Sequence, residues 1–397
     1  MMRAAWATAV VLAATSPTAT GAASVQEPSD PRSILSQPPV FERSSPVAAP
    51  LRWHAGKLSL DAVANGVSRT FIFDTGSPTV LSADLARDLG LTVLGRNVGQ
   101  DANGRPVSME IARLDRLEIG GLTVRDLPVL IFDFSALEIG ACVMDGGVIG
   151  SDVLPAGAWT LDMEAETLSL SRDPAEGQTA SLESYGYPFA PIVVYRIGDL
   201  VDRALIDTGG TGVVTLFDDA MDALEADLAA GVVRTGRAMA GESAGGRGGR
   251  LALRRARIHD LAIGPFNLGP VLADTRPVAP TLIGVDVLRT HRMTLDQPRG
   301  VVSFAPRDRP DPQPADLGLG VEWIDGEAVI SRLMEGSAAS RAGLRLGDRI
   351  LVANGRDLTD AADPCGQALW LIETLARAPA MTLTTDRAPN RPIVLER

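Results

Sequence analysis

The sequence predicts a mainly β protein: two related β units packed as a pseudo-twofold pair, followed by a smaller α+β module. Three observations predict it. The triplet Asp-Thr-Gly occurs twice, each time behind an apolar strand: Phe71-Ile72-Phe73-Asp74-Thr75-Gly76-Ser77 and Leu205-Ile206-Asp207-Thr208-Gly209-Gly210. The landmarks downstream of each triplet recur in the same order. A Pro- and Asp-rich break, Ala305-Pro306 to Pro314-Ala315, then separates these copies from a tail of different pattern.

In chain order, residues 1–23 read as a signal peptide. Arg3 is the only early charge, and Ala4 to Ala14 form a short apolar run with Trp6, Val10, Val11 and Leu12. Small residues follow, with Ala19-Thr20-Gly21 and Gly21-Ala22-Ala23 as alternative cleavage sites. The run is shorter than the ~20 apolar residues a spanning helix needs. The expectation is a periplasmic or secreted protein, attached to a membrane only if this segment stays uncleaved. No Cys follows the run, which argues against a lipoprotein anchor. Residues 24–50 are rich in Pro, Ser and Ala and read as a linker or pro-segment. The two units follow at 51–172 and 189–305, joined by a connector at 173–188. Residues 306–314 are a second linker, and 315–397 the tail module.

At 397 residues the chain suits two or three domains. A hydrophobic share of 45% with 22% charged residues describes a core-forming chain, and a net charge of −12 argues against a nucleic-acid or anionic-membrane binder. The arginines from Arg247 to Arg257 cluster only locally and read as a solvated hairpin. The two cysteines, Cys142 and Cys365, fall in different domains. They read as unpaired small core residues, with a disulfide as the alternative. His54, His259 and His291 are scattered without metal-ligand spacing, so no metal or other cofactor is expected.

The repeat carries most of the information. The first copy starts with Leu58 to Val63, turns at Asn65-Gly66 and runs through Thr70 to Phe73 into Asp74. The second starts with Pro191 to Tyr195, turns near Gly198-Asp199 and runs through Ala204 to Ile206 into Asp207. Alternating apolar residues around such turns signal hairpins. Leu117 to Leu122 then parallels Leu261 to Phe266, Val148 to Leu154 parallels Leu282 to Leu288, and Trp159 to Asp162 parallels Met293 to Asp296. Gly150 lies 76 residues after Asp74, and Gly284 lies 77 after Asp207. Ile119 lies 45 after the first Asp but Ile263 lies 56 after the second, so the copies carry offsetting insertions. Short helical turns are expected after Gly150 and Gly284, and a helix from Phe217 to Ala230.

Peptide hydrolysis by water needs a base for the water's proton and an acid for the carbonyl oxygen. Two carboxyl groups forced together cannot both ionise and share one proton over a wide pH range. Asp74 and Asp207 are the candidates for this work. Gly76 and Gly209 allow tight turns that bring backbone N–H groups to the carboxylates. Thr75 and Thr208 are placed to hydrogen-bond across to the opposing loop.

On these residues the chain resembles the aspartic peptidases of the retropepsin-like type, over roughly residues 51–305. The resemblance implies a bilobal peptidase, made of two acid-protease β-barrel units in one chain, whose dyad forms within the molecule. It also implies flaps, β-hairpins that close over an extended substrate. The candidates are Arg96 to Ile111, with its tip at Asn103-Gly104, and Thr235 to Leu253, with Gly245 and Gly246 near its tip. The alternative is that these are ordinary exposed hairpins. A Ser, Thr or Ala usually follows Asp-Thr-Gly in this family. Ser77 fits and is expected to donate to the outer oxygen of Asp74, whereas Gly210 has no hydroxyl to do so. The ionised pair is therefore expected to be less stabilised on the Asp207 side, moving activity toward neutral pH.

The tail carries Leu317-Gly318-Leu319-Gly320-Val321, Ala328-Val329-Ile330, Gly336-Ser337-Ala338-Ala339, Ala342-Gly343-Leu344, Leu346 to Leu351 and Asn354-Gly355. It resembles a bacterial PDZ domain. That implies a peptide tail adding as a strand beside Leu317–Val321, with a helix from about Cys365 to Ala376 as the groove's other wall. The alternative is that these residues are core and the groove is degenerate.

The reading that follows is an exported aspartic endopeptidase. Its partners are protein or peptide substrates, with C-terminal tails or exposed strands at the PDZ domain, and no nucleic acid. The competing reading is an inactive peptidase-fold scaffold or adaptor that binds peptides through its PDZ domain.

Overall fold

A computed structural model describes residues 30–396 except 45, 186–187, 227–232, 240, 312–316, 361 and 379. The chain is mainly β. The signal peptide expected at 1–23 lies outside the described residues. In the first unit the strand Lys57–Ala64 turns at Asn65-Gly66, both with positive φ, into the strand Val67–Phe73 that leads to Asp74. This is the turn chemistry that matches strand twist in a tight hairpin. Strand Gly147–Ile149 runs parallel to the Asp74 strand and antiparallel to Val80–Ser82. The second unit repeats the pattern: Leu200–Asp207 lies parallel to Thr281–Gly284, which pairs antiparallel with Val214–Phe217. The similar spacing from Asp to Gly in the two copies is therefore the chain length needed to leave the Asp loop and return beside it.

The segments Trp159–Asp162 and Met293–Asp296 form the seam between the units. Trp159 pairs with Leu295, Thr160 with Thr294 and Leu161 with Met293. Thr160 and Thr294 join their hydroxyls at 2.9 Å in the middle of this pairing. On one side the sheet continues through Thr167–Ser171 to Val47–Pro50, and on the other through Val301–Pro306 to Ala180–Glu183. One apolar core runs through both units, with Trp159, Phe73, Tyr195 and Leu295 fully buried.

Two spacer readings need correction. From Pro31 onward the 24–50 segment is not a linker. Val40–Arg43 pairs with the strand Leu122–Phe132, Val47–Pro50 joins the seam sheet, and Ile34, Leu35, Val47 and Ala49 are buried. Val47 and Ala49 alternate with exposed Ala48 and Pro50, so one face of the strand is buried, a pattern that composition alone conceals. Within 306–314, Arg307 is held by the carbonyls of Leu288 and Arg289, and Asp311 N–H donates to Arg289, so this stretch is fastened to the second unit. The connector 173–188 likewise contributes the strand Ala180–Glu183. The helix expected over Phe217–Ala230 forms over Asp218–Ala226, and residues 227–230 lie outside the described residues.

The C-terminal module has its own core of Leu317, Trp323, Ile330, Leu344, Ile350, Leu371, Met381 and Leu383, among others. Strands Leu319–Ile324 and Glu327–Met334 form a hairpin, and Ile350–Ala353, Arg356–Asp357, Ala380–Thr385 and Ala388–Glu396 form a sheet. The helix Pro364–Arg377 packs beside them, capped by Asp363, whose carboxylate accepts from Gly366 N–H. The module does not hang free. Its strand Glu327–Met334 pairs antiparallel with Arg234–Met239 of the second unit, and Cys142 of the first unit is disulfide-bonded to Cys365 in the first turn of its helix. The expectation of two unpaired cysteines is thus overturned. Domain membership did not forbid the bond, because docking of the module brings the two residues together.

Candidate active site

Asp74 follows the strand Val67–Phe73 of one sheet and Asp207 ends the strand Leu200–Asp207 of another, and four hydrogen bonds lock their loops together. Thr75 N–H donates to Thr208 Oγ1 at 3.0 Å, and Thr208 N–H donates to Thr75 Oγ1 at 3.1 Å. Thr75 Oγ1 in turn donates to the Ile206 carbonyl at 2.6 Å, and Thr208 Oγ1 to the Phe73 carbonyl at 2.8 Å. Both threonines are buried, so each hydroxyl satisfies two backbone groups that water does not reach. Thr75→Val leaves the Thr208 N–H and the Ile206 carbonyl unpaired. The expected loss is about 2–4 kcal/mol of stability in urea unfolding. A loss below about 0.5 kcal/mol would mean that something else joins the loops.

The glycines permit the close approach. Gly76 N–H donates to Asp74 Oδ1 at 2.9 Å, and Gly209 N–H to Asp207 Oδ1 at 2.9 Å. A Cβ on Gly76 would lie 2.5 Å from Asp207 Oδ1, and one on Gly209 would lie 2.2 Å from Asp74 Oδ2. Each carboxylate therefore rests on the opposite loop's glycine. The two carboxyl groups are thereby brought side by side. Removal from water, followed by the charge of Asp207, raises Asp74 to about 7, against the Gly76 N–H and the charge of Lys57.

The expected asymmetry between Ser77 and Gly210 is reversed. Ser77 Oγ donates to the Pro78 carbonyl at 2.8 Å rather than to Asp74. Gly210 instead gives its backbone N–H to Asp207 Oδ1 at 3.0 Å. Asp207 thus receives two amide donors and Asp74 one. Burial and the charge of Asp207 favour the proton on Asp74. The rise of Asp74 originates in burial and the neighbouring charge, not in a missing hydroxyl.

The hairpins expected as flaps are present. Gly95–Gln100 pairs with the start of Pro106–Ile119, and Arg234–Met239 with Arg250–Ile258. Their tips meet. Asn103 Nδ2 donates to the Gly241 carbonyl at 2.7 Å, Gly245 N–H to Asp101 Oδ2 at 2.9 Å, and Arg105 to the Arg247 carbonyl. Gly104 lies against Val278, and Gly245 sits in the turn between two short strands, Glu242–Ser243 and Gly246–Arg247, where Gly246 pairs with Ser243. Arg276 reaches from the second unit to the Ala102 carbonyl at 2.9 Å, and its guanidinium senses the charge of Asp207.

Three of the five arginines read as a solvated hairpin are ion-paired instead, while Arg250 and Arg257 are exposed. Arg254 meets Asp218 and Asp222, buried Arg255 meets Asp274, and Arg247 meets Glu322 and the Trp323 carbonyl of the C-terminal module. Among the described residues, no group of three or more His, Cys, Asp or Glu is arranged to hold a metal.

Residues 60–153 match the aspartyl protease family model, and residues 306–364 match the PDZ domain model. The chain carries an aspartyl protease domain and a PDZ domain. Among solved structures it is similar to the aspartic proteinase from Irpex lacteus, at 13% identity and a TM-score of 0.42, covering 66% of this chain and 98% of that one. No curated protein matches the chain.

In the PDZ domain, Leu317 and Leu319 are buried in the domain's own core, and the Gly318 carbonyl accepts from Met334 N–H at 2.8 Å. Gly320 and Val321 are half-buried on the strand Leu319–Ile324. The protease domain reaches this strand's far end. Glu138 accepts from the N–H groups of Asp325 and Gly326 at 2.8 and 3.3 Å, and Ile139 packs on the PDZ core. Sequence reasoning missed these contacts. It also missed Lys57, whose ammonium donates to the Gly209 carbonyl. One signal pointed there: Lys57 is the only lysine among the chain's 37 basic residues.

Proposed function

We propose that the chain is an exported aspartic endopeptidase that hydrolyses peptide bonds of protein substrates through a water held between Asp74 and Asp207. The observation that carries this reading is the pair of carboxyl groups, each resting on the opposite loop's glycine and unequally supported: one amide donor on Asp74, two on Asp207. Ionised Asp207 takes the water's proton while protonated Asp74 donates to the scissile carbonyl oxygen, giving a neutral tetrahedral diol. The proton on Asp207 then passes to the leaving amine as the C–N bond breaks, and Asp74 recovers its proton from the collapsing diol. The closed hairpin tips favour an extended peptide lying between them and the dyad.

Export rests on the apolar run Ala4 to Ala14. The PDZ domain is read as regulating the enzyme as well as binding protein tails, because it contacts the second flap directly: Arg247 with Glu322, Thr235 with Glu335, and the strand pairing of Gly236 to Ala238. The test is incubation of the chain with an unfolded protein across about pH 3 to 8, with product termini mapped by mass spectrometry. Internal cleavage that fades as pH rises through about 7 is the expected result. A folded protein that cuts nothing across this range would leave the peptide-binding scaffold as the better reading.

A further inference from the structure

Lys57 opens the strand Lys57–Ala64 of the first unit, and its half-buried side chain crosses to the second unit to donate to the Gly209 carbonyl. Gly209 supports both carboxylates: its N–H holds Asp207 Oδ1, and its α-carbon lies directly beneath Asp74. The lysine's hydrogen-bond partner is a neutral carbonyl, so its positive charge is not spent on a carboxylate of its own. We propose that Lys57 is a positioning residue for the dyad: it fixes the Gly209 peptide beneath the carboxyl groups, and its charge sets the pH range over which they share one proton. This rests on reading Asp74 and Asp207 as the catalytic pair.

A compact ammonium suits the place. It delivers one point charge and one short donor, where a planar guanidinium needs room for a fork. The chain uses arginine for its 36 other basic residues and lysine here. The remaining charges near the pair are accounted for. Arg276 faces Asp207 from the second unit while holding the flap at Ala102. Asp152, behind the Ile149–Gly150 backbone, is fully engaged by Thr79 N–H and Oγ1 at 2.7 and 2.5 Å. Asp101 and Arg105 at the flap tip are bound to Gly245 and Arg247. His54, which pairs with Lys57 across the hairpin, is turned to the Cys142 carbonyl.

The sign follows. A nearby cation favours ionised Asp74, so removing it lets Asp74 keep its proton to higher pH. Both limbs of the pH–rate profile move up, because the pair titrates as a unit. Lys57→Met is expected to shift the alkaline limb upward by about one pH unit and to lower activity on the acid side severalfold. Lys57→Arg keeps the charge and is expected to hold both limbs near their wild-type pH while lowering the rate, because its fork lacks the room that a single ammonium has.

A single lysine also allows a readout that needs no activity. Protein labelled with 15N in the lysine side chain gives one ammonium signal from Lys57, followed from about pH 5 to 9. The expected inflection near 7 disappears in Asp74→Asn. A flat signal in the wild type, or a Lys57→Met profile that coincides with it in a folded protein, would overturn the proposal. An inflection in a protein that cleaves nothing would instead sink the peptidase reading and leave the Lys57–Asp74 linkage standing.

Discussion

Asp74→Asn and Asp207→Asn are each expected to lower kcat at least about 10³-fold on an unfolded protein substrate, with folding intact. An amide can neither take a proton from water nor supply one to a carbonyl oxygen, so either change removes one half of the chemistry. The substitution is nearly isosteric, and the Gly76 and Gly209 N–H donors keep an oxygen to bind. Thermal stability should hold or rise slightly, because two crowded carboxyl groups become one. Equal loss in both variants is the signature of one intramolecular pair. Activity that survives Asp207→Asn would instead point to a dimer built from two Asp74 residues. The wild-type profile carries a second expectation. Asp74 acts as an acid only while protonated, and burial with Asp207 nearby holds that proton to about 7, so activity declines above this pH.

The dyad was legible because its requirements are local. An apolar strand, an Asp, a Thr that crosses over and a Gly that lets the opposite carboxylate approach all fall within a few residues. What was illegible depended on tertiary placement. The Ser77 hydroxyl is directed by its own backbone toward Pro78, and no residue type announces that. Val47–Pro50 looks like a spacer until Thr167–Ser171 is beside it. Arg247, Arg254 and Arg255 look solvated because their acids, Asp218, Asp222, Asp274 and Glu322, come from distant strands and a helix. Lys57 precedes Asp74 on the adjacent strand of the same hairpin, yet acts on the other unit's loop. The landmarks Trp159–Asp162 and Met293–Asp296 are similar in sequence. That they pair with each other follows only from the way the two units pack.

Replacing both members of the Cys142–Cys365 disulfide by serine is expected to destabilise the protein by about 4–5 kcal/mol and to loosen the flaps. The bond closes a loop with a sequence separation of 223 residues, and long loops gain most in the chain-entropy account. Its position matters as much as its length. The PDZ domain grips the protease domain in two places, on the second flap through Arg247, Thr235 and the strand pairing, and on the first unit through Glu138, Ile139 and the disulfide. The two flaps are in turn bonded to each other at Asn103, Asp101 and Arg105. If these hairpins act as a lid over the proposed site, their tips must part for a substrate to enter, and the disulfide then restrains the PDZ domain from following the second hairpin outward. Without it, kcat/KM for an unfolded protein is expected to rise about tenfold, equivalent to about 1.4 kcal/mol less opening free energy. Hydrogen exchange should quicken in Arg234–Met239 and in the short helix Gly140–Val143. A reductant should raise wild-type activity to the same level and leave the double serine variant unaffected. Lower stability with unchanged activity would reduce the bond to a staple. Both changes together would make the PDZ domain the restraint on the lid.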